Sequence, residues 1–260
     1  MADEKYVSSH TGPEIDEGVR LALEHLPPEP TASGTNRNLL DNPWFTVNQR
    51  GATTYTVGQY GVDRWKLISG SATVNADHTI TLSGTLRQIL EDYILDDVTA
   101  SVQTISGEAT ASFDVATKSF DIVSAGGRIQ AAKLELGEAS TLSLDSAPDY
   151  TIELLKCQRY YQVFNNACVV GMSAGGGRLC HFPLSPKVNM RGNPAISGHV
   201  PTIFGGGNNY TLDDNEYTLA LYKGSLSEPS YILTISSTKR LTSLYAQMLY
   251  FSNLILSADL

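Results

Sequence analysis

The stretch LLKCQRYYQVF, Leu154–Phe164, puts a cysteine, an arginine and two adjacent tyrosines side by side near the middle of the chain. A cysteine in such company invites nucleophilic chemistry, which needs a neighbouring base or a strongly lowered thiol pKa. Arg159 lies two places beyond Cys157, but no histidine lies near it in the sequence. Read as a strand, the segment turns Leu155, Cys157, Arg159, Tyr161 and Val163 to one face. Lys156, Gln158, Tyr160, Gln162 and Phe164 turn to the other. Cys157 is then a buried strand cysteine. Tyr160 and Tyr161 face opposite ways, one toward a core and one toward a neighbouring sheet or chain. The stretch reads as a structural joint.

Other chemistry-bearing residues are scattered. EDYILDD and LDDNE are rich in carboxylates, but neither has the alternating oxygen ligands and tight glycine turn of a calcium loop. A glycosidase needs two carboxylates set across a sugar, a distance that sequence does not give, so solvated turns and strand ends are the expected role. His10, His25, His78, His181 and His199 form neither an i, i+4 pair nor an H-x-H pair, so no metal site is expected. His10 and His25 flank a helical segment and are placed to line an oligomer axis. Cys157, Cys168 and Cys180 contain no C-x-x-C pair and read as reduced thiols. There is no G-x-S-x-G elbow, and GGGR and GGGN lack the ending of a phosphate loop. No cofactor and no enzymatic activity are expected. Trp44 and Trp65 could stack on sugar rings, yet core or interface packing is the expected role for both. For a glycan contact the candidates are Asn208, Asn209 and Tyr210, read as loop residues beside the glycine trio 205–207. Their amides suit sugar hydroxyls, and the tyrosine ring suits a sugar face.

The elements that must carry these residues are short. Of 260 residues, 42% are hydrophobic and 17% charged, enough for real cores, with Ser, Thr, Asn and Gly dominating the polar set. The net charge of −9 argues against nucleic-acid binding, which works by neutralising phosphates. MADEKYVSSH lacks the pattern of a secretory signal, and no apolar run is long enough for membrane insertion. TGPEIDEGVRLALEHLPPEP reads as a helix in which Ile15, Val19, Ala22 and Leu26 form a narrow apolar seam suited to oligomerisation or attachment. Beyond it EPTASGTNRN reads as a linker. Short alternating runs then recur at roughly ten-residue spacing, and NADH is a polar turn between two of them. Pro148 and Asp149 act as breakers, after which a second strand series begins with YTIELLKCQRYYQVF. LEDYILDD could be a strand or a helical turn. The expected fold is mainly β. An attachment helix and linker (1–37) precede two antiparallel β-sandwiches of jelly-roll type (38–147 and 148–260).

Five segments in order, NLLDNPWFTVNQRG, YGVDRW, AAKLELGEASTL, PDYTIELLKCQRYYQVF and FPLSPKVNMRGNPAI, closely resemble phage and prophage tail-fibre or receptor-binding proteins. The opening YVSSHTGPEIDEGV is similar as well, and the matches cover most of the chain. The resemblance implies a homotrimer made in the bacterial cytoplasm and acting outside it. Its N-terminus would join a tail or baseplate protein, and its distal β-domain would contact a host cell-surface receptor, often a glycan. Fibres of tail-like contractile injection systems fit equally well. The chain departs from long fibres in lacking an extended coiled coil or collagen-like repeat, which suggests a compact tip. A glycan-degrading tail spike and a purely structural baseplate or collar component are the alternatives.

Overall fold

Asn75-Ala76-Asp77-His78 does close a hairpin in the structure, a computed structural model. Strands β1 (Lys66–Val74) and β2 (Ile80–Ile89) pair antiparallel, with Val74 opposite Ile80. His78 takes φ 67° in the turn, and Asp77 accepts hydrogen bonds from Arg128 and Thr79. Those bonds, the one from Arg128 first, hold the Asp77 carboxyl down at about 2. The described residues are 36–259 without 92–96, 175–178, 200–201, 206–207, 212–216, 224–230 and 238–245. The expected N-terminal helix, with Ile15, Val19, Ala22 and Leu26, lies outside them, as do the glycine trio 175–177 and LDDNE.

The first sheet continues with β3 (Val98–Ser106), β4 (Ala109–Asp114) and β5 (Ser119–Leu136). Its order is β1-β2-β5-β3, with β4 also on β5. Sequence periodicity divides KSFDIVSA from RIQAAKLELG, but the two are one strand of 18 residues. The reason is a bulge. Ala125 pairs with Ser83 and Gly127 with Leu82, so Gly126, at φ 122°, is passed over without breaking the strand. On the other edge Gln130 is passed over against β3. Each bulge flips the side-chain phase. Phe120 and Ile122 point into the core before the first, Ile129 between the two, and Ala132 and Leu134 after the second. Trp65 fills the centre, fully buried, with ring centroids 5.2 Å from Phe45 and 6.0 Å from Phe120. Its indole N–H donates to Asn42 O at 2.9 Å, which removes the cost of burying that polar group. Core packing is thus the role of Trp65; Trp44 is half-buried.

After a 3₁₀ turn at Leu142–Leu144 the structure departs from the expected strand. Tyr150–Gln158 is a helix, α1. Asp149 is its N-cap, accepting from Thr151 N at 2.8 Å and Ile152 N at 3.1 Å. The same Pro-Asp pair that reads as a breaker is therefore a helix start. Cys157 is buried, but on a helix.

The chain then enters β6 (Tyr161–Ala174), β7 (Leu179–Leu184), β8 (Ala195–His199), β9 (Thr202–Gly205), β10 (Asn208–Thr211), β11 (Tyr217–Lys223), β12 (Tyr231–Ser237) and β13 (Ala246–Ser257). These make one antiparallel sheet in the order β10-β9-β13-β6-β7-β12-β11, with β8 also on β13. β13 is its spine, pairing with β6 on one edge and with β8 and β9 on the other. The sheet curls until β11 meets β8. On its inner side Phe182, Leu184, Leu233, Ile235, Leu249, Leu254 and Leu256 form a second core. The chain is mainly β, with two antiparallel sheets and one α-helix among the described residues. Arg37–Leu260 form a single compact unit.

One backbone crossing admits only glycine. Gly70 and Gly84 lie opposite each other in β1 and β2, at φ 81° and 140°. A Cβ on Gly84 would sit 2.0 Å from Ser69 O. Gly84→Ala is expected to cost about 2 kcal/mol or more, since both conformation and contact oppose it. Gly192→Ala, with no atom within 4 Å of the added carbon, should be near neutral. Urea midpoints of the two variants check this.

Candidate functional site

Tyr160 and Tyr161, where α1 passes into β6, are both buried, and each stacks on an arginine from the first half of the chain. The Arg64 guanidinium carbon lies 3.4 Å from the Tyr160 ring centroid, and that of Arg50 lies 3.7 Å from the Tyr161 centroid. Adjacent residues leaving the helix turn to opposite sides, so one Tyr-Tyr step grips two separate cations.

Neither arginine is held by its ring alone. Arg64, 1% exposed, donates from Nε to Asp41 Oδ2 at 3.2 Å and from Nη2 to Ile89 O at 2.7 Å. Arg50 donates from Nη1 to Asp63 Oδ1 at 2.7 Å and from Nη2 to Asp259, beyond the end of β13. Gln49 Nε2 donates hydrogen bonds to Asp63 Oδ2 at 2.9 Å and to Tyr161 O at 2.8 Å. Buried charges are tolerated when most of their bonds are made in this way; Arg64 Nη1 and Asp259 Oδ1 are the buried atoms of these pairs without a hydrogen-bond partner.

Asn42 sits at the centre, fully buried at φ 52°. Its amide donates to Val47 O and Asp63 O, each at 2.9 Å, while Oδ1 accepts from Val47 N at 3.0 Å. Its backbone N–H reaches Glu153 Oε2 of α1 at 2.7 Å. Farther out Glu91 pairs with Arg159 at 2.9 Å and with Arg191 at 3.0 Å. Two backbone bonds complete the joint, Ala258 N to Tyr160 O at 2.6 Å and Arg191 N to Arg159 O at 2.7 Å.

A cleft of 230 Å³ opens beside this network, lined by Arg37, Asp41, Arg64, Glu91, Lys156 and Arg159 among others. Most of these charges are already committed. Asp41 holds Arg64, Glu91 holds Arg159, and Glu153 holds Lys156. Cys157 lies in this region, and burial, with Asp63 and Asp41 adding to it, pushes its thiol well above the ordinary value. A thiol so held supplies no thiolate near neutral pH. Among the described residues no three His, Cys, Asp or Glu side chains gather as metal ligands. His181 bonds Thr234 across neighbouring strands at 2.9 Å. The chemistry of this region is clamping.

Asn208, Asn209 and Tyr210 lie elsewhere. They are strand residues rather than loop residues. β10 carries them, and their backbones pair with Gly205, Phe204 and Ile203 of β9. β10 ends the order of the second sheet, so the three occupy its rim. The joint residues Asn42, Arg50, Asp63 and Arg64 carry no mark of function in the sequence. Their one signal is charge beside aromatic residues in DNPWF and VDRW. No family model, curated protein or solved structure matches the chain.

Arg50→Lys should lower stability by about 1–3 kcal/mol despite keeping the charge. A lysine cannot hold Asp63 and Asp259 as a fork while covering Tyr161. An unfolding midpoint unchanged from wild type would contradict the clamp.

Asp63 generates a pH dependence. Burial raises its carboxyl to about 6 against the pull of Arg50. The folded state therefore binds the proton more tightly than the unfolded chain. That contribution to stability is fully present below the unfolded value near 4 and is lost as pH rises through 6. Asp63→Asn removes it. The stability of wild type relative to Asp63→Asn should accordingly fall by up to about 3 kcal/mol between pH 4 and pH 7. Parallel urea titrations at the two pH values measure the difference.

Proposed function

We propose that the chain is a non-enzymatic, homotrimeric tail-fibre or tail-tip protein of a phage or phage-tail-like particle. In this reading the N-terminal segment attaches to a tail or baseplate protein. The two sheets are the working faces of two jelly-roll-like sandwiches, and the second presents a binding rim to a host cell-surface glycan. The observation that carries the reading is where the resembling segments fall. NLLDNPWFTVNQRG supplies Asn42 and Arg50, and YGVDRW supplies Asp63, Arg64 and Trp65. PDYTIELLKCQRYYQVF supplies Asp149, Glu153, Tyr160 and Tyr161, and FPLSPKVNMRGNPAI supplies Arg191. Most of the joint is built from these four segments, which supports reading the resemblance to tail-fibre proteins as one of load-carrying architecture.

A body locked at its middle suits a protein that must transmit force between particle and cell. An apolar stripe on the outer face of β6 supports the homotrimer. Val170 is 56% and Met172 68% exposed, and Cys168 lies opposite Tyr250. That stripe would be covered by a second copy. Three weak rim sites on one rigid trimer would bind by avidity without a deep pocket.

The test uses the labelled full chain on a panel of bacterial strains, with its solution mass measured in parallel. The expected mass is three times the 28.1 kDa of one chain. Binding to a susceptible strain should weaken at least about tenfold when Asn208, Asn209 and Tyr210 are all changed to alanine, because avidity multiplies each site's loss. Binding to no strain would favour a structural baseplate component. New reducing ends from host polysaccharide would favour a glycan-degrading spike.

A further inference from the structure

Lys133 and Glu135 stand on the side of β5 away from Ala132 and Leu134, and neither side chain has any exposure. The segment after β5 folds back over them. Lys133 Nζ donates to Asp145 Oδ1 at 2.8 Å and to Thr141 Oγ1 at 2.8 Å, while Glu135 Oε2 lies 3.4 Å from the same nitrogen. The Thr141 hydroxyl donates in turn to Glu135 Oε2, and its N–H donates to Oε1 at 2.7 Å. Asp145 is 13% exposed. One amine and two carboxylates are thus confined with little water, and the joint described above makes no use of them.

We propose that Lys133 and Asp145 condense in the folded chain to an intramolecular isopeptide bond, with Glu135 as the proton-transferring base. The ammonium first passes a proton to Asp145 along the hydrogen bond already present, which gives a neutral amine and a neutral carboxyl group in one transfer. The Nζ lone pair then attacks Asp145 Cγ. The nitrogen of the tetrahedral adduct loses a proton to Glu135, directly or through the Thr141 hydroxyl. Glu135 returns that proton to the departing hydroxyl, which leaves as water with the electrons of the broken C–O bond. A C–N bond has formed, one water is released, and Glu135 ends as it began.

Two features drive the step. Fixing amine and carboxyl within hydrogen-bond distance supplies the high effective concentration that an intramolecular reaction enjoys. Condensation also replaces two poorly solvated charges by a neutral amide, relieving their desolvation. The product ties β5 covalently to the turn that leads into α1.

Intact-mass and tryptic-peptide analysis of the purified full chain tests the proposal without any variant. The expected result is a fragment spanning 129–156, uncut at Lys133 and lighter by one water. Lys133→Arg should restore cleavage and full mass. Asp145→Asn should reach the same cross-linked fragment by losing ammonia. Glu135→Gln should form it at least about a hundredfold more slowly. Separate peptides IQAAK and LELGEASTLSLDSAPDYTIELLK at full mass from wild type would overturn the proposal, as would a water loss that survives in Lys133→Arg.

Discussion

The way the two halves of the described molecule are held together depends on two arginines that are taken out of water between a carboxylate and a tyrosine face. Arg50 and Arg64 come from the irregular chain before and beside β1, and their rings come from the step between α1 and β6. Each of the two sheets has its own apolar core. Apolar surface alone gives no preferred orientation between two such bodies, because the hydrophobic effect is non-directional. Guanidinium forks and ring planes do give one. A buried ion pair adds little net stability but penalises every arrangement that breaks it, so the halves are fixed in orientation more firmly than in energy.

Strain is concentrated at the same place. Asn42, Phe45 and Arg64 all take positive φ without being glycine. Asn42 offsets this cost with side-chain bonds to both strands of chain around it, and Arg64 with its bonds to Asp41 and Ile89. The bulges in β5 serve a related end. By flipping phase twice they let one strand feed the Trp65 core along most of its length while turning Lys133 and Glu135 to the far side.

How far the sequence foretold this varies with distance along the chain. The NADH hairpin was legible because turn chemistry and alternation are local. The helix Tyr150–Gln158 was open to the same reading, since Asp149 stands before it as a cap. Its β-branched and tyrosine content suggested a strand instead, and its amphipathic signal is weak because Glu153 is the residue it buries most usefully. Gly126-Gly127 imitated a turn because glycine signals a bulge and a loop alike. The placement of Asn208–Tyr210 in a strand depends on β9 and β13, and the Arg50–Tyr161 contact spans more than a hundred positions. Pairings of that reach are set by the whole fold. The sequence offered the aromatic and basic residues of the joint, and the partnership between them appears only in three dimensions.

The position of β13 bears on how the molecule is made. Its residues complete the second sheet on two edges, and Ala258 and Asp259 just beyond it close the joint. A ribosome delivers these pieces after everything they must touch. The first sheet can fold as it emerges, whereas β6 waits with its long edge unpaired until β13 arrives, a non-local pairing of the slow kind. Nascent chains are therefore most open to mispairing between the release of β6 and that of β13, and chaperone demand during synthesis should fall in that interval.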